Sequence, residues 1–182
     1  MPIPTLETDR LILRPVSLDD IPSLQRQFND WEVIKFTRAP WPLPADAVER
    51  NLRDLVLPGM LAGTHVSWAI VPKGETEAIG RIDYRLADAP PGRGFWIATA
   101  FHGRGYMTEA LTVTQDYIFF ERNVDRIVVE SDAENIGSRR VKEKNGATFL
   151  YQQNDQPNHL GHPEDVWEIT RENWARIRGV KI

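Results

Sequence analysis

The sequence predicts an α/β (α+β) domain in which a mixed, mostly antiparallel sheet is flanked by helices. Short apolar segments with the two-residue period of strands alternate with helix-length segments, in the order β-αα-βββ-α-β-α-ββ. Only the crossovers through the two late helices force parallel neighbours, and the other connections suit antiparallel pairing. Because no repeat or interdomain linker interrupts the 182 residues, we expect one domain over residues 1–182.

Capping residues and prolines define the elements of the first half. Ser17 is followed within three residues by two acidic side chains and suits the N-cap of a helix. The Pro58-Gly59 pair is expected to stop the helix before it. The predicted elements are a strand at Arg10–Val16, a helix at Leu18–Asn29, a short helix and a loop over Trp31–Pro44, a helix at Pro44–Leu57, and a hairpin of strands over Val66–Ile70 and Ala78–Arg85 with a turn at Lys73–Glu75.

Glycines and polar loops separate the elements of the second half. Apolar residues at helical spacing follow one glycine-rich turn, and Gly146 is expected to end the last predicted helix. The predicted elements are a strand at Phe95–Ala100, a helix at Tyr106–Glu121, a strand at Arg126–Glu130, a helix at Asn135–Lys144, and a final hairpin of Thr148–Gln153 with Val166–Thr170.

Composition excludes several classes of function. The formal net charge of −4 argues against general binding to nucleic acid or to anionic membranes. The absence of cysteine excludes disulfides, thiolate metal sites and a cysteine nucleophile. The N-terminal residues lack the features of a signal peptide, and no apolar window is long enough to cross a membrane. We therefore expect a cytoplasmic protein with no nucleic-acid and no membrane partner.

The segment His102–Ala110, HGRGYMTEA, carries the strongest functional signal. It lies between the apolar run Phe95–Ala98 and the predicted helix that begins at Tyr106. Glycines let a ligand approach the backbone, and the first N–H groups of a helix have no carbonyl partner of their own. A strand that runs through glycines into a helix can therefore bind a phosphate. A purely structural turn is the alternative.

A second segment, Asn135–Ala147, has the sequence NIGSRRVKEKNGA and strengthens the functional interpretation of the first. Together the two segments resemble the GNAT N-acetyltransferase superfamily, and most closely its ribosomal-protein N-terminal (Rim-type) branch. The resemblance extends over the whole chain, from the strand LETDRLILRP to the closing strand and tail DVWEITRENW. Four residues depart from the family pattern, namely His102, Met107, Ala147 and Lys142. The last lies where many superfamily members carry a catalytic Tyr.

The resemblance implies a single GNAT-like domain that binds acetyl-CoA. The glycine turn would hold the pyrophosphate, and the strand before it would pair with the pantetheine arm and offer an N–H to the thioester carbonyl, a contact worth roughly 3 kcal/mol. From the residues alone, that strand is more simply a core strand. The implied cofactor-binding residues are Trp96, Ile97, Ala98, Gly103, Arg104, Gly105, Tyr106, Met107, Thr108, Asn135 and Ser138.

The same resemblance implies two catalytic residues. Ser138 would donate a proton to the leaving thiolate, and Glu109 would accept one from the amine, with a pKa raised by the nearby pyrophosphate. The residues alone leave other roles open, since Asn135 suits a helix N-cap, Ser138 can bond the backbone and Glu109 can compensate a helix dipole. Asp83 and Tyr84, on a strand beside the site, are further candidates for the base.

A histidine pair raises the question of a metal site. His159 and His162 stand three apart, with Asp155, Glu164 and Asp165 nearby. A loop rich in Gly, Pro and Asn does not fix the spacing of ligands as a helix would. We predict a solvated loop and no metal.

These observations predict an acetyl-CoA-dependent N-acetyltransferase that transfers acetyl directly to a primary amine through a ternary complex. The acceptor would be a peptide or protein N-terminus or a small amine, and a homodimer is left open. Without cysteine or a Ser-His-acid pattern, no covalent acetyl-enzyme is expected. The alternatives are the same fold acting on an aminoglycoside or polyamine, a non-catalytic acyl-CoA sensor, and a nucleotide-binding dehydrogenase, which the lack of a full Gly-x-Gly-x-x-Gly disfavours.

Overall fold

An eight-stranded sheet forms the centre of the computed structural model, which describes residues 2–154 and 159–182. Its strands are β1 (Leu6–Glu7), β2 (Leu11–Pro15), β3 (His65–Pro72), β4 (Gly80–Arg85), β5 (Gly92–Ile97), β6 (Arg126–Asp132), β7 (Thr148–Gln153) and β8 (Glu164–Thr170). They lie in the order β1-β2-β3-β4-β5-β6-β8-β7, and every neighbouring pair is antiparallel except β5 and β6. The predicted mixed, mostly antiparallel sheet is confirmed.

Helices lie on both faces of the sheet. They are α1 (Ile21–Phe28), α2 (Trp31–Ile34), α3 (Ala47–Asn51), α4 (Leu57–Ala62), α5 (Tyr106–Asp116), α6 (Ile136–Lys144) and α7 (Arg171–Arg178). One π-helical turn joins α3 to α4, and another extends α5 to Glu121. Within residues 2–154 and 159–182, no helix combines the length and the apolar character that a membrane crossing needs.

Each face of the sheet carries its own core. On one face, Leu111 of α5 and Trp174 of α7 are buried against the apolar side chains of the strands, and Val141 of α6 packs beside them. On the other face, Leu24 of α1 and Val48 of α3 are buried in a separate cluster. The sheet therefore presents two different helix-covered faces, and these become the two sides of the candidate site.

The crossover through α5 places β6 beside β5 in parallel, as the sequence predicts. The crossover through α6 does not produce a second parallel pair, because β8 lies between β6 and β7 and is antiparallel to both. The expectation of parallel neighbours at both late helices is therefore wrong for the second. The sheet has a single parallel junction, and it lies near the middle of the strand order.

Pro58 does not stop the helix that precedes it, contrary to the prediction. The helical segment passes through the proline and continues to Ala62. A π-helical turn over Leu52–Val56 comes just before it, and such a turn rearranges the backbone hydrogen bonds that a proline cannot complete. Gly63, with a φ of 75°, ends the helix instead.

Two further predictions are corrected near the ends of elements. β5 begins at Gly92 rather than at Phe95, and Thr99–Phe101 form a 3-10 turn rather than strand. Glycines weaken the sequence signal of a strand, but pairing with β4 holds this segment extended. The chain after β8, expected as a tail, forms α7, whose N-cap Thr170 accepts the Asn173 N–H.

Candidate active site

β5 and β6 diverge and leave a gap in the sheet. The two strands pair only at Gly92 and Val128, where the Val128 N–H donates to the Pro91 carbonyl at 2.8 Å. Beyond that point β5 remains paired with β4, and β6 remains paired with β8. The facing edges of the two strands are therefore available to a ligand that pairs with backbone.

The register of β5 on β4 decides which of its N–H groups face the gap. The Ala98 N–H donates to the Ile79 carbonyl at 2.8 Å, so Ala98, and with it Trp96, directs its backbone towards β4. Successive residues of a strand direct their N–H groups to opposite sides, so Phe95 and Ile97 face the gap. The prediction of an available N–H at 96–98 thus applies to Ile97, is wrong for Trp96 and Ala98, and overlooked Phe95.

His102 closes the end of β5. Its Nε2 lies 2.9 Å from the Ile97 carbonyl oxygen, which accepts a hydrogen bond when Nε2 carries the proton. The departure from the family pattern at this position therefore has a structural role. The imidazole ring is hydrogen-bonded to the Ile97 carbonyl. The Ile97 N–H therefore remains the backbone group of this residue that a ligand can bind.

Two clefts open on opposite faces of the gap. The α5-side cleft, about 680 Å³, is lined by the glycine turn, the start of α6 and β5, and includes Gly105, Ser138 and Ile97. The α1-side cleft, about 870 Å³, is lined by residues of α1, α3 and β4, among them Leu24 and Arg81. The residues that line both clefts are Phe36, Thr37, Arg93, Gly94, Trp96, Glu130 and Ser131.

The glycine turn leaves the start of α5 open to the α5-side cleft. Gly103 and Gly105 adopt φ values of 72° and 78°, which favour glycine. Gly105 is the N-cap of α5, and no side chain among the described residues caps the helix. A Cβ built on Gly103 would meet no atom within 4 Å, so a ligand can reach the backbone. Unpartnered N–H groups in open space suit an anion.

Most of the predicted cofactor-binding residues meet in the α5-side cleft. Ala98 and Arg104 do not line it, and the Arg104 guanidinium lies 5.4 Å from the centre of the Phe101 ring. The bulky Met107 side chain is 6% exposed and packs into the core of this face, which explains how the turn accommodates it. The predicted residues that line the cleft are Trp96, Ile97, Gly103, Gly105, Tyr106, Met107, Thr108, Asn135 and Ser138.

The start of α6 is capped, in contrast to the start of α5. Asn135 is its N-cap, and the Asn135 Oδ1 accepts the Ser138 N–H at 2.9 Å. The capping alternative for Asn135 is thereby confirmed. The cap uses the backbone of Ser138 and leaves its hydroxyl for other partners. Both residues also line the α5-side cleft, so capping and ligand contact are compatible.

The acetyltransferase (GNAT) domain family matches residues 10–148 of the chain. This chain belongs to that family. An uncharacterized N-acetyltransferase, p20 of Bacillus licheniformis, is 29% identical over 148 residues, which cover 80% of this chain and 82% of the relative. The ribosomal-protein-S5-alanine acetyltransferase of Vibrio fischeri has the same fold, with a TM-score of 0.81, 17% identity, and coverage of 93% of this chain and 98% of that one.

A further structure with the same fold is RimL, a ribosomal L7/L12 α-N-protein acetyltransferase in complex with coenzyme A. Its TM-score is 0.78 at 17% identity, and the match covers 92% of this chain and 97% of that one. The family match makes the protein an acetyltransferase, of a family that transfers acetyl groups to amines and uses acetyl-CoA. The open glycine turn, the uncapped start of α5 and the α5-side cleft fit such a co-substrate.

Glu109 of the acetyltransferase lines neither cleft. Its carboxylate accepts the Thr8 hydroxyl at 2.5 Å, the Arg10 backbone N–H at 3.1 Å and the Arg10 side chain at 2.7 Å. Burial alone would raise the pKa of Glu109, but these hydrogen bonds outweigh it and lower the pKa below its ordinary value. In the protein alone the pKa of Glu109 is thus lowered rather than raised, and the carboxylate ties α5 to the turn between β1 and β2.

The other two candidate bases are also held in the sheet. Asp83 accepts the Ser67 hydroxyl at 2.7 Å and the Arg81 guanidinium at 2.8 Å. Tyr84 is fully buried, its hydroxyl lies 3.1 Å from that of Thr114, and burial raises its pKa. Neither residue lines a cleft, so both stabilise the sheet rather than facing a ligand.

An ion-pair cluster in the α1-side cleft was missed by the sequence analysis. Arg38 bridges Glu130 of β6 at 3.1 Å and Glu164 of β8 at 2.5 Å. Glu130 is the one carboxylate, within the described part of the chain, that lines both clefts. No local sequence pattern predicts this cluster, because Arg38 and Glu164 are 126 positions apart.

The two histidines of the late loop bond to separate partners. His162 Nδ1 lies 3.1 Å from an Asp132 carboxylate oxygen, and His159 Nε2 contacts the Ala39 carbonyl. Among residues 2–154 and 159–182, no three His, Cys, Asp or Glu side chains are grouped as metal ligands. Asp155, named as a candidate ligand above, lies outside the described residues.

Proposed function

We propose that this acetyltransferase binds acetyl-CoA in the α5-side cleft and a primary amine in the α1-side cleft, and transfers the acetyl group directly between them. One observation carries the proposal: the two clefts approach from opposite faces of the sheet and share the residues around the gap between β5 and β6. Two substrates held there in near-attack geometry react as an effectively unimolecular pair.

The α5-side cleft offers contacts along the length of the co-substrate. The backbone N–H groups after Gly103 and Gly105 suit the pyrophosphate, and the exposed Arg104 adds positive charge beside the turn. The open edge of β5 suits the amide groups of the pantetheine arm, and its Ile97 N–H is left for the thioester. The thioester then lies at the gap, near the start of α6.

The chemistry follows from groups around the gap. Acetyl-CoA supplies an acetyl group activated as a thioester. The Ile97 N–H polarises its carbonyl and stabilises the oxyanion of the transition state, an effect worth about 3 kcal/mol. The Ser138 hydroxyl contacts the sulfur. Glu130, which lines both clefts, accepts a proton from the attacking ammonium, directly or through water.

The acceptor is a primary amine, either the α-amine of a peptide or protein or a small amine. The Vibrio fischeri protein and RimL, as their names state, acetylate ribosomal proteins. In this chain, Glu130 and Glu164 pair with Arg38 at the wall of the α1-side cleft. Glu130 also lines the α5-side cleft, so it is the carboxylate with which an incoming ammonium group can pair at the gap.

A panel of peptides and small amines, assayed for release of free CoA, tests the proposal. We expect at least one amine to release CoA, with intersecting double-reciprocal plots when both substrates are varied. Tight binding of acetyl-CoA without release by any amine would indicate an acyl-CoA sensor instead. Parallel plots together with a stoichiometric, catalytically competent acetyl adduct would contradict direct transfer.

A further inference from the structure

A lysine is buried where α6 faces the gap. Lys142 is 1% exposed, although it lines the α5-side cleft. It lies one helical turn after Ser138, on the same face of α6. Its ammonium group donates to the hydroxyl of Ser131 on β6, and its nitrogen lies 5.9 Å from the centre of the Trp167 ring. Ser131 lines both clefts, so the ammonium group lies next to their junction.

The carboxylates around Lys142 form ion pairs with arginines. Asp165 of β8 pairs with Arg139 at 3.0 Å, while Glu130 and Glu164 pair with Arg38. Within the described residues, none of these pairs includes the lysine. Its hydrogen-bond partner is a neutral serine hydroxyl, so the charge on the nitrogen is not fixed by an ion pair.

A second buried cation faces it across the gap. Arg93 of β5 is 4% exposed and also lines both clefts. Burial, assisted by the charge of Arg93, lowers the pKa of Lys142 to about 7, and the carboxylates of Asp165, Glu164 and Glu130 oppose this only in part. Lys142 is therefore able to exchange its proton near neutral pH, which an ordinary lysine does not do.

We propose that the Lys142 ammonium group donates the proton that the leaving CoA thiolate acquires. The inference rests on the proposed function and names the donor in the same site. The neutral amine nitrogen forms a bond to the acetyl carbon and releases one proton to solvent, and the carbon–sulfur bond breaks with its electron pair on sulfur. One ammonium proton then moves from Lys142 Nζ to that sulfur, and the neutral lysine regains a proton from solvent after CoA leaves.

The chemistry favours the lysine over Ser138 as the donor. A thiol has a pKa of about 8.5, so an ammonium group of lower pKa transfers its proton to a thiolate with a favourable driving force. A serine hydroxyl is a much weaker acid than a thiol and does not. Because Ser138 and Lys142 are consecutive residues of one helix face, the hydroxyl can orient the sulfur while the ammonium group protonates it.

The test compares Lys142→Met with Lys142→Arg and with the control Lys73→Met, at an exposed turn between β3 and β4. We expect kcat at saturating acetyl-CoA to fall by about 100-fold or more in Lys142→Met, with little change in the Kd for CoA. The wild-type kcat should also fall as pH rises above neutrality, because the donor loses its proton, and Lys142→Met should lack this limb. Lys142→Arg keeps the charge but holds its protons too tightly to donate them.

Full activity in Lys142→Arg, or a Lys142→Met variant within threefold of wild type, would overturn the proposal. So would stoichiometric acetylation of Lys142 itself, detected by peptide mass spectrometry. Binding measurements keep the two proposals apart. If wild type does not bind CoA at all, the proposed function fails; if both proteins bind CoA equally and Lys142→Met keeps the alkaline limb of kcat, only the role of Lys142 fails.

Discussion

The two helices that begin at the α5-side cleft begin in opposite ways. α5 follows Gly105, whose left-handed backbone brings no side chain to cap the helix. α6 follows Asn135, whose side chain accepts the Ser138 N–H at 2.9 Å. A helix start with unpartnered donors costs stability unless water or a ligand satisfies them. The chain therefore stabilises one helix start internally and leaves the other open to water or a ligand.

The comparison also separates the roles of the two helices. The open start of α5 suits charge recognition, because backbone donors and the helix dipole act on an anion without any specific side chain. The start of α6 is capped, and the helix presents side chains, with Ser138 and Lys142 on one face. We infer that α5 supplies affinity for the co-substrate and α6 supplies chemistry.

Gly105→Asp should produce the largest effect, because it places a carboxylate where α5 is open. We expect acetyl-CoA affinity to fall by about 100-fold or more, equivalent to about 3 kcal/mol. Gly63→Asp is the matched control, since Gly63 has a similar φ of 75° against 78° and ends α4. Both variants should lose about 1 kcal/mol of stability from backbone strain. Calorimetric titration of the two folded variants measures the difference, and equal affinities would contradict the phosphate-binding role.

Ser138→Ala should have the next largest effect, on kcat rather than on binding. Because Asn135 caps the backbone N–H of Ser138, loss of the hydroxyl leaves the helix cap in place. We expect kcat to fall about tenfold with the Kd for acetyl-CoA nearly unchanged. Steady-state kinetics and calorimetry on the same preparation test this. A loss below threefold would leave Ser138 with no part in the chemistry.

Asn135→Ala should mainly lower stability, since it removes the cap of α6. The expected loss is about 1 kcal/mol in the free energy of unfolding, measured by urea denaturation. Asn135→Ser is the control, because serine caps a helix nearly as well as asparagine. If alanine and serine reduce acetyl-CoA affinity equally and strongly, the side chain binds the co-substrate more than it caps the helix.

Glu109→Gln should have the smallest effect, and one that depends on pH. The pKa of Glu109 is lower in the folded protein than in the unfolded chain. The ionised carboxylate therefore stabilises the fold fully above the unfolded-state pKa, and this stabilisation is lost as pH falls through the folded-state pKa. We expect the variant to be less stable at pH 7 by no more than about 1 kcal/mol, with the difference shrinking as pH falls below the unfolded pKa of about 4.3. Denaturation at pH 7 and at successively lower pH, with Glu75→Gln as an exposed control, measures it. A variant more than tenfold reduced in kcat at unchanged stability would restore Glu109 as a base.

Local features of this protein could be predicted from the sequence because neighbouring residues produce them. Ser17 forms its predicted cap, and Gly146 has the expected positive φ at the end of α6. The glycine turn before α5 was likewise identifiable, since glycine is the residue that tolerates its backbone angles. Pro58 shows the limit of this logic, because a π-helical turn upstream cancels its usual effect.

The sequence by itself determined the fold class, the family resemblance and the two segments that meet in the α5-side cleft, because each depends on local pattern. Only the tertiary structure decided what those segments face. The register of β5 on β4 selected Ile97 over Ala98 at the gap, and residues Thr8 and Arg10, far away along the chain, lowered the pKa of Glu109. Lys142 is buried by side chains of other elements, such as Ser131 of β6 and Trp167 of β8, and this burial lowers its pKa. Long-range packing of this kind produces no periodic pattern in a sequence.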